Sequence, residues 1–331
     1  MTQPASVSRR HLLQLLALAP AIASRVPDAF AAQGRPAAAG GKAPDKIQVG
    51  LVSRHLQWTN LEDAIDLSRQ LGFDAIEWNV RTGGHISPER VEQDLPKAVE
   101  LTRKAGLAAA MITTDIQDAR SPYADAILRT AHGLGIRYYR GGNYFRYDYS
   151  GDLVQQLEAL KPRVASLVEL NQKYGTTMAY HTHSGRGLIG GNVWDLWMVI
   201  KDFDPNIIGL NYDTGHTTAR GGNGWTDAAH VALKYIQCLA IKDFNWKRRP
   251  DQTWAVEFCP VGDGMVDFKA VFALLRAGGF KGPINIHLEH DNLLGSDLGK
   301  WTLDMPRERF LTIVKRDLDQ VRMFMKEAQL A

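Results

Sequence analysis

Four stretches in the second half of the chain share one pattern, in which an apolar run typical of a buried β-strand ends in residues that bind metals or move protons. They cover residues 177–183, 207–216, 236–243 and 283–290. The active site of a (β/α)8 barrel is built from polar groups at the carboxyl ends of successive strands. The pattern therefore predicts a catalytic barrel and places its chemistry at the mouth where those strand ends meet.

From residue 47 onward, strand-like and helix-like segments alternate, which predicts an α/β fold with a parallel sheet. Strands are predicted over residues 47–53, 75–80, 108–114, 137–141, 177–183, 207–213, 236–242 and 284–289. Helices are predicted over residues 61–71, 95–105, 124–134, 164–174, 193–203, 226–235, 268–277 and 307–329. Eight strands, with no dinucleotide-binding glycine fingerprint after the first, favour a closed (β/α)8 TIM barrel over a doubly wound open sheet.

The connections differ between the two ends of these units. Glycine ends several predicted helices just before the next strand, for example at Gly72 and Gly175, as expected of helix C-caps in short turns. The turns that follow the strands are longer and more polar, as in residues 81–94 and 245–264. Long loops on one face only are typical of a barrel whose top carries the function.

The N-terminal region differs in kind from the rest. Arg9 and Arg10 precede an apolar run too short to span a bilayer, and the small residues at 29 and 31 suit signal peptidase. This arrangement resembles a twin-arginine export signal, which predicts an exported, periplasmic protein; a basic amphipathic helix or a membrane anchor is the alternative. The predicted organisation is a signal peptide at 1–31, a flexible linker at 32–45 and a barrel at 46–331.

Charge limits the classes of ligand that the protein can bind, and the two cysteines raise the question of a disulfide bond. The 39 basic and 36 acidic residues give a net charge of +3, and removal of residues 1–31 takes away three arginines and one aspartate and leaves +1. A near-neutral chain lacks the basic footprint for nucleic acid or an anionic membrane, so we expect a small-molecule ligand and no stable membrane insertion after signal cleavage. Cys238 and Cys259 could pair in an exported protein, but Cys238 lies mid-strand, which favours free thiols.

Two carboxylates lie at strand ends. Asp213 follows an apolar strand, where an unpaired charge is costly, so it must be metal-bound, hydrogen-bonded or hydrated. Capping of the next helix is its purely structural alternative. Glu289 shares a strand face with His287 and can ligate a divalent cation or take a proton, or else pair with Lys242.

Other polar side chains complete the candidate set. His181 and His183 share one strand face, and two imidazoles at that spacing can bind a metal together or divide between metal and substrate. Lys242 can hold a substrate oxygen or stabilise an enolate, with a salt bridge as its alternative. Glu77 and Arg140 occupy equivalent positions on the second and fourth strands and are candidates for contacting substrate hydroxyls.

Together these motifs resemble the xylose isomerase-like TIM barrels of the sugar phosphate isomerase/epimerase superfamily, from residue 46 to the C-terminus. The resemblance rests on residues 72–77, 140, 180–183, 213–216, 241–243, 260–267 and 282–289. It implies a divalent cation (Mn, Mg, Co or Zn) held by a glutamate, an aspartate, a histidine and a second glutamate. The aspartate falls on Asp213 and the second glutamate on Glu289. The first glutamate falls on His181, and the histidine falls on Ala240, which cannot ligate.

The resulting hypothesis is a sugar or polyol isomerase or epimerase that transfers a proton next to a carbonyl with the help of a metal. The predicted metal ligands are His181, Asp213 and Glu289. Three protein ligands with open positions suit a catalytic metal. Glu289 is then the general base, His183 or His181 returns the proton, and Lys242 holds an oxygen. Substrate binding is assigned to His216, Arg140 and Glu77.

Two alternatives stay open. A keto-sugar lyase or dehydratase shares the initial proton abstraction and differs in the group that leaves. A non-catalytic sugar-binding barrel that kept its pocket and lost the metal with Ala240 belongs to a different class of function. A nuclease of the same superfamily is disfavoured, because its multi-metal cluster needs more histidine and glutamate ligands than this chain offers.

Overall fold

Eight parallel strands close into a barrel. The structure is a computed structural model that describes residues 46–142, 144–290 and 301–330. The strands are β1 (Val49–Val52), β2 (Ala75–Asn79), β3 (Ala108–Thr113), β4 (Tyr138–Arg140), β5 (Thr177–His181), β6 (Ile208–Asp213), β7 (Ile236–Ile241), β8 (Asp243–Arg248), β9 (Trp254–Cys259) and β10 (Ile284–Ile286). All but β8 and β9 pair in the order β1-β10-β7-β6-β5-β4-β3-β2, and β2 returns to β1. The predicted (β/α)8 barrel is confirmed.

Helices lie between the strands along the chain. They are α1 (Leu61–Leu71), α2 (Val91–Lys104), α3 (Ala124–Gly133), α4 (Leu153–Tyr174), α5 (Trp194–Ile200), α6 (Thr214–Gly221), α7 (Trp225–Val231), α8 (Phe268–Ala277) and α9 (Arg307–Glu327). Gly72 and Gly175 cap α1 and α4 in the left-handed region, with φ of 91° and 59°, as predicted. α4 begins earlier than expected, because the Asp152 carboxylate accepts hydrogen bonds from two backbone N–H groups of its first turn.

The barrel interior shows how the site residues come to face inward. Met111, Ala179 and Cys238 pack together as a small cluster of their own, separate from the main core. Side chains alternate along a strand, so residues two and four positions after a member of this cluster point to the same side of the sheet as that member does. His181 therefore follows Ala179 up the lumen on β5, and Lys242 follows Cys238 at the end of β7. The strand pattern alone thus directs both groups toward the mouth.

Two elements near the mouth were not predicted. Residues 245–264 were expected to form a long polar loop, but β8 and β9 form an antiparallel hairpin there. The Asp243 carboxylate accepts hydrogen bonds from the backbone N–H groups of Gly262 and Gly264, both at 2.9 Å, and so anchors the segment after β9. The second element, α6, begins directly after β6, because Asp213 ends the strand and also caps the helix.

Several expectations concern other parts of the chain. The predicted signal peptide at 1–31 and linker at 32–45 lie outside the described residues. Within the residues that are described, no helix is both long and apolar enough to cross a membrane. Cys238 and Cys259 are both free, as favoured from the sequence, and Cys238 is buried.

Candidate active site

A cavity of about 290 Å³ opens at the carboxyl-terminal mouth of the barrel. Lys242, His183 and Glu289 line it from the ends of β7, β5 and β10. Three arginines line it from the ends of β1, β2 and β4, namely Arg54, Arg81 and Arg140. Polar groups far apart in the chain therefore meet at one mouth.

The ammonium group of Lys242 lies at the centre of the site. Its Nζ is 2.5 Å from Glu289 Oε1, 3.2 Å from Asp213 Oδ2 and 3.0 Å from His216 Nε2. The ammonium group thus contacts two carboxylates and one imidazole, although the side chain is buried. Burial alone would lower the pKa of Lys242, but the charges of Asp213 and Glu289 outweigh it and raise the pKa above its usual value. Lys242 is therefore a fixed positive charge.

Asp213 and two histidines form a group that can hold a metal ion. One ligand atom each of His181, Asp213 and His216 lies within 4.8 Å of the others, and all three residues are buried. His181 Nε2 is 3.3 Å from Asp213 Oδ2, yet neither atom makes an aligned hydrogen bond. Buried polar atoms are nearly always satisfied, so a cation between these atoms would complete the site. Two imidazoles and a carboxylate are a donor set that fits a divalent transition metal.

The composition of this group differs from the predicted ligand set. Glu289 was expected as the third ligand, but it pairs with Lys242 and lies outside the group. His216 takes that place because α6 starts at once after β6, and its backbone N–H donates to Asp213 Oδ1 at 2.8 Å. Ala240 lies beside Asp213 in the strand register and, as expected, offers no ligand atom.

Hydrogen bonds define which ring nitrogens carry protons on His216 and His183. Lys242 can only donate, so His216 Nε2 accepts, and His216 Nδ1–H donates to Ser184 Oγ at 2.9 Å. The Gly185 N–H donates to His183 Nδ1 at 3.0 Å, which places the His183 proton on Nε2. Burial lowers the pKa of His183 to about 4 and that of His216 well below its usual value, so both are neutral at pH 7.

The two residues assigned to substrate hydroxyls occupy different environments. Arg140 lines the cavity and donates from Nη2 to Tyr144 Oη at 2.8 Å. Glu77 is fully buried, accepts a hydrogen bond from Thr113, and has its second oxygen 4.0 Å from His287 Nε2. Burial raises the pKa of Glu77. Glu77 therefore contacts two cavity-lining residues rather than lining the cavity itself.

Sequence reasoning missed several residues of the mouth. Arg54 follows β1 and Arg81 follows β2, so the rule that polar residues at strand ends form the site would have included both. Phe258 had no such signal, because it lies on the unpredicted strand β9. Its ring centroid is 5.4 Å from Lys242 Nζ, which makes the hairpin one wall of the site.

Acid is expected to destabilise the protein through His55. His55 Nε2 accepts from the Leu288 N–H at 3.0 Å, and burial lowers the pKa of this ring to about 3. In the unfolded chain the pKa is about 6.5, so between these values the unfolded state binds more protons. The stability contribution of neutral His55 is therefore complete above pH 6.5 and falls as the pH drops, by about 2 kcal/mol at pH 5.

Urea unfolding at pH 7 and pH 5 measures this effect. His55→Gln keeps an acceptor for the Leu288 N–H but cannot titrate, so it should lose about 2 kcal/mol less than wild type between the two pH values. The control His132→Gln changes an exposed histidine on α3 and should behave as wild type. Equal losses in His55→Gln and wild type would rule out His55 as a source of acid sensitivity.

Comparison with known proteins shows which family model this chain matches and which proteins resemble it. A family model described as a xylose isomerase-like TIM barrel matches residues 65–309. Inosose dehydratase of Geobacillus thermodenitrificans is 24% identical over 281 residues, covering 75% of this chain and 91% of that protein. Among solved structures, the IOLI protein with a bound zinc atom has a TM-score of 0.64 at 16% identity, covering 84% of this chain and 99% of that one. D-Psicose 3-epimerase from Clostridium cellulolyticum H10, solved with D-tagatose, has a TM-score of 0.62 at 15% identity, with the same coverages of 84% and 99%.

The structural neighbours are too distant in sequence to indicate more than a shared fold. The family model is more informative, because it spans most of the barrel and includes the ends of β5, β6, β7 and β10, which carry the histidines, carboxylates and lysine of the candidate site. The chain therefore belongs to the xylose isomerase-like TIM barrel family.

Proposed function

We propose that the protein is a sugar or polyol isomerase or epimerase that moves a proton between positions next to a carbonyl. The observation that carries this proposal is the Glu289 carboxylate held 2.5 Å from the Lys242 ammonium on the wall of a cavity that His183 also lines. A carboxylate can serve as the base, a fixed ammonium can stabilise an oxyanion, and an imidazole N–H can donate to oxygen. The three kinds of group that this chemistry needs share one cavity.

In the proposed reaction Glu289 removes the proton from the carbon next to the carbonyl. The electrons of the broken C–H bond form a C=C bond, and the carbonyl oxygen becomes negative. Lys242 and the Nε2–H of His183 stabilise that oxygen. For isomerisation, the oxyanion takes up the proton of the neighbouring hydroxyl, and the abstracted proton returns to the former carbonyl carbon. For epimerisation, a proton returns to the opposite face of the same carbon. General acid–base catalysis of this kind contributes about 10²–10⁴-fold.

A divalent cation fits the group formed by His181, Asp213 and His216, and it would polarise the substrate oxygens as a Lewis acid when bound there. Two imidazole ligands favour zinc or cobalt over manganese and magnesium, which prefer oxygen. The zinc atom in the structural neighbour supports this choice of metals. Lys242 contacts two of the three donor residues, so we expect its ammonium to compete with the cation and to weaken metal binding.

A dehydratase acting on a keto-polyol is the second candidate. It is favoured by relatives named inosose dehydratase, one of which this chain matches over 91% of its length. The proton abstraction by Glu289 is the same. The C–O bond one carbon further from the carbonyl then breaks, and the departing hydroxide leaves as water after it gains a proton.

Deuterium exchange tests the proposal whatever product is formed. The purified protein is incubated in heavy water with zinc or manganese and a panel of keto-sugars, aldo-sugars and polyols, and the carbon-bound protons are followed by NMR. We expect deuterium next to the carbonyl of at least one sugar. A product of unchanged composition identifies an isomerase or epimerase, and loss of water identifies a dehydratase. Sugars that bind tightly without any exchange would instead establish a non-catalytic binding barrel.

A further inference from the structure

Positive charge is concentrated on one arc of the cavity wall. Arg54, Arg81 and Arg140 lie at the ends of β1, β2 and β4, which are consecutive around the barrel apart from β3. Among the described residues that line the cavity, Glu289 is the only carboxylate; it follows β10, the neighbour of β1, and contacts Lys242 at the end of β7. Three guanidinium groups therefore lie together along one part of the cavity wall.

Arg81 shows how a guanidinium group on this arc is held. Its Nε and Nη2 donate to the carbonyl of Thr114 at 2.8 and 2.7 Å, and Nη2 also lies 3.2 Å from the carbonyl oxygen of Gly141. Its ion-pair partner at 3.1 Å is Asp115, whose side chain is 55% exposed and is not among the described lining residues. Neutral carbonyl groups orient a guanidinium without cancelling its charge, and a carboxylate that is more than half exposed to solvent offsets that charge only in part, so part of it remains available to a ligand.

The three guanidinium groups also influence one another. Burial, together with the charges of Arg140 and Arg54, lowers the pKa of Arg81 to about 10. The neighbouring His55 adds no further positive charge, because burial lowers the pKa of its ring to about 3 and keeps it neutral. Like charges gathered at a cavity repel one another, and a bound anion removes that repulsion.

We propose that the natural ligand carries an anionic group, a carboxylate or a phosphate, and that Arg54, Arg81 and Arg140 bind it. Guanidinium groups bind both kinds of oxyanion through paired N–H donors. At about 290 Å³ the cavity is at the small end of ligand pockets, which suits a single sugar unit. The sugar then spans the cavity, with its carbonyl end at Lys242 and Glu289. This last placement rests on the proposed function, whereas the anion site does not.

Equilibrium binding tests the site without any need for turnover. D-Glucose, D-glucuronate and D-glucose 6-phosphate share one ring and differ at one end, and inorganic phosphate serves as the bare anion. Calorimetry on the purified protein at low salt should show at least one anionic sugar binding about tenfold or more tightly than D-glucose. Its affinity should fall as salt is added. The tighter of the two anionic sugars identifies carboxylate or phosphate, and failure of both to exceed D-glucose overturns the inference.

Substitutions locate the site. Arg54→Gln and Arg140→Gln should each weaken binding of the preferred anionic sugar about tenfold and change D-glucose affinity less than twofold, while Arg140→Lys should retain part of the preference. Arg129→Gln removes an exposed arginine that pairs with Glu92 on the outside of the barrel, and it should have no effect. Thermal unfolding confirms that each variant is folded. Loss of neutral and anionic sugars alike, or of neither, would place the anion elsewhere.

The anion site and the proposed reaction can fail separately. Tight, arginine-dependent binding of an anionic sugar without deuterium exchange would retain the site and reject the reaction. Exchange on neutral sugars alone, with no preference for an anion, would retain the reaction and reject the site.

Discussion

Lys242→Met is expected to destabilise the fold and at the same time to raise the affinity of the site for zinc. The ammonium contacts Asp213, which is fully buried, so its loss leaves a buried carboxylate without its cation, at a cost of about 3–5 kcal/mol. The same substitution removes the competitor from Asp213 Oδ2 and His216 Nε2. Zinc then gains both donors, and we expect its dissociation constant to fall about tenfold or more.

Two measurements separate these effects. Urea unfolding in the presence of a chelator reports the loss of stability, and calorimetric titration with zinc reports the affinity. Added zinc should also restore stability to the variant by mass action. Lys247→Met, which removes an exposed ammonium paired with Glu257 on the hairpin, should change stability by less than about 1 kcal/mol and leave zinc binding unchanged. A Lys242→Met protein that unfolds like wild type and binds zinc no better would show that lysine and cation do not compete.

Glu289→Gln is expected to lower the rate of proton exchange about 10²–10⁴-fold while the protein stays folded. Glutamine has nearly the same shape and can still accept a hydrogen bond from Lys242, but it cannot take a proton from carbon. Lys242 keeps its contacts with Asp213 and His216, so the buried charges remain balanced. The loss of stability should therefore be smaller than in Lys242→Met.

The exchange assay in heavy water measures this effect directly. Glu257→Gln makes the same chemical change on the exposed hairpin and should exchange at the wild-type rate. Urea unfolding of both variants separates a loss of chemistry from a loss of fold. If Glu289→Gln exchanges as fast as wild type, another group is the base.

The strands of the barrel could be predicted closely, whereas two elements at its mouth could not. A strand buried on both sides is an unbroken apolar run, and eight such runs separated by amphipathic helices leave few alternative folds. The hairpin of β8 and β9 has no buried apolar run, because most of β8 is exposed and the mainly apolar β9 is only half-buried or exposed. It depends on Asp243, whose carboxylate binds the backbone at Gly262 and Gly264. Such a contact between distant residues leaves no local pattern.

The sequence predicted where the site lies, but it predicted fewer of the contacts between the residues of the site. Asp213, Lys242 and Glu289 were each expected at the mouth, and Lys242 contacts both carboxylates there. The third member of the possible metal group, His216, depends on a helix that starts without a loop after β6. Glu77 was expected to meet substrate, but it is enclosed beside Thr113.

Local pattern was therefore sufficient to establish the barrel and to name the residue types at its mouth, because strand alternation and the polarity of strand ends depend only on neighbours in the chain. Which of those residues touch one another depends on the order of strands around the ring. β10 pairs with both β7 and β1, so Glu289 meets Lys242 on one side and has the strand that precedes Arg54 on the other, while Arg81 and Arg140 follow β2 and β4 further around the ring. Barrel closure brings together groups separated by many residues, and the charge balance of the cavity arises from that closure.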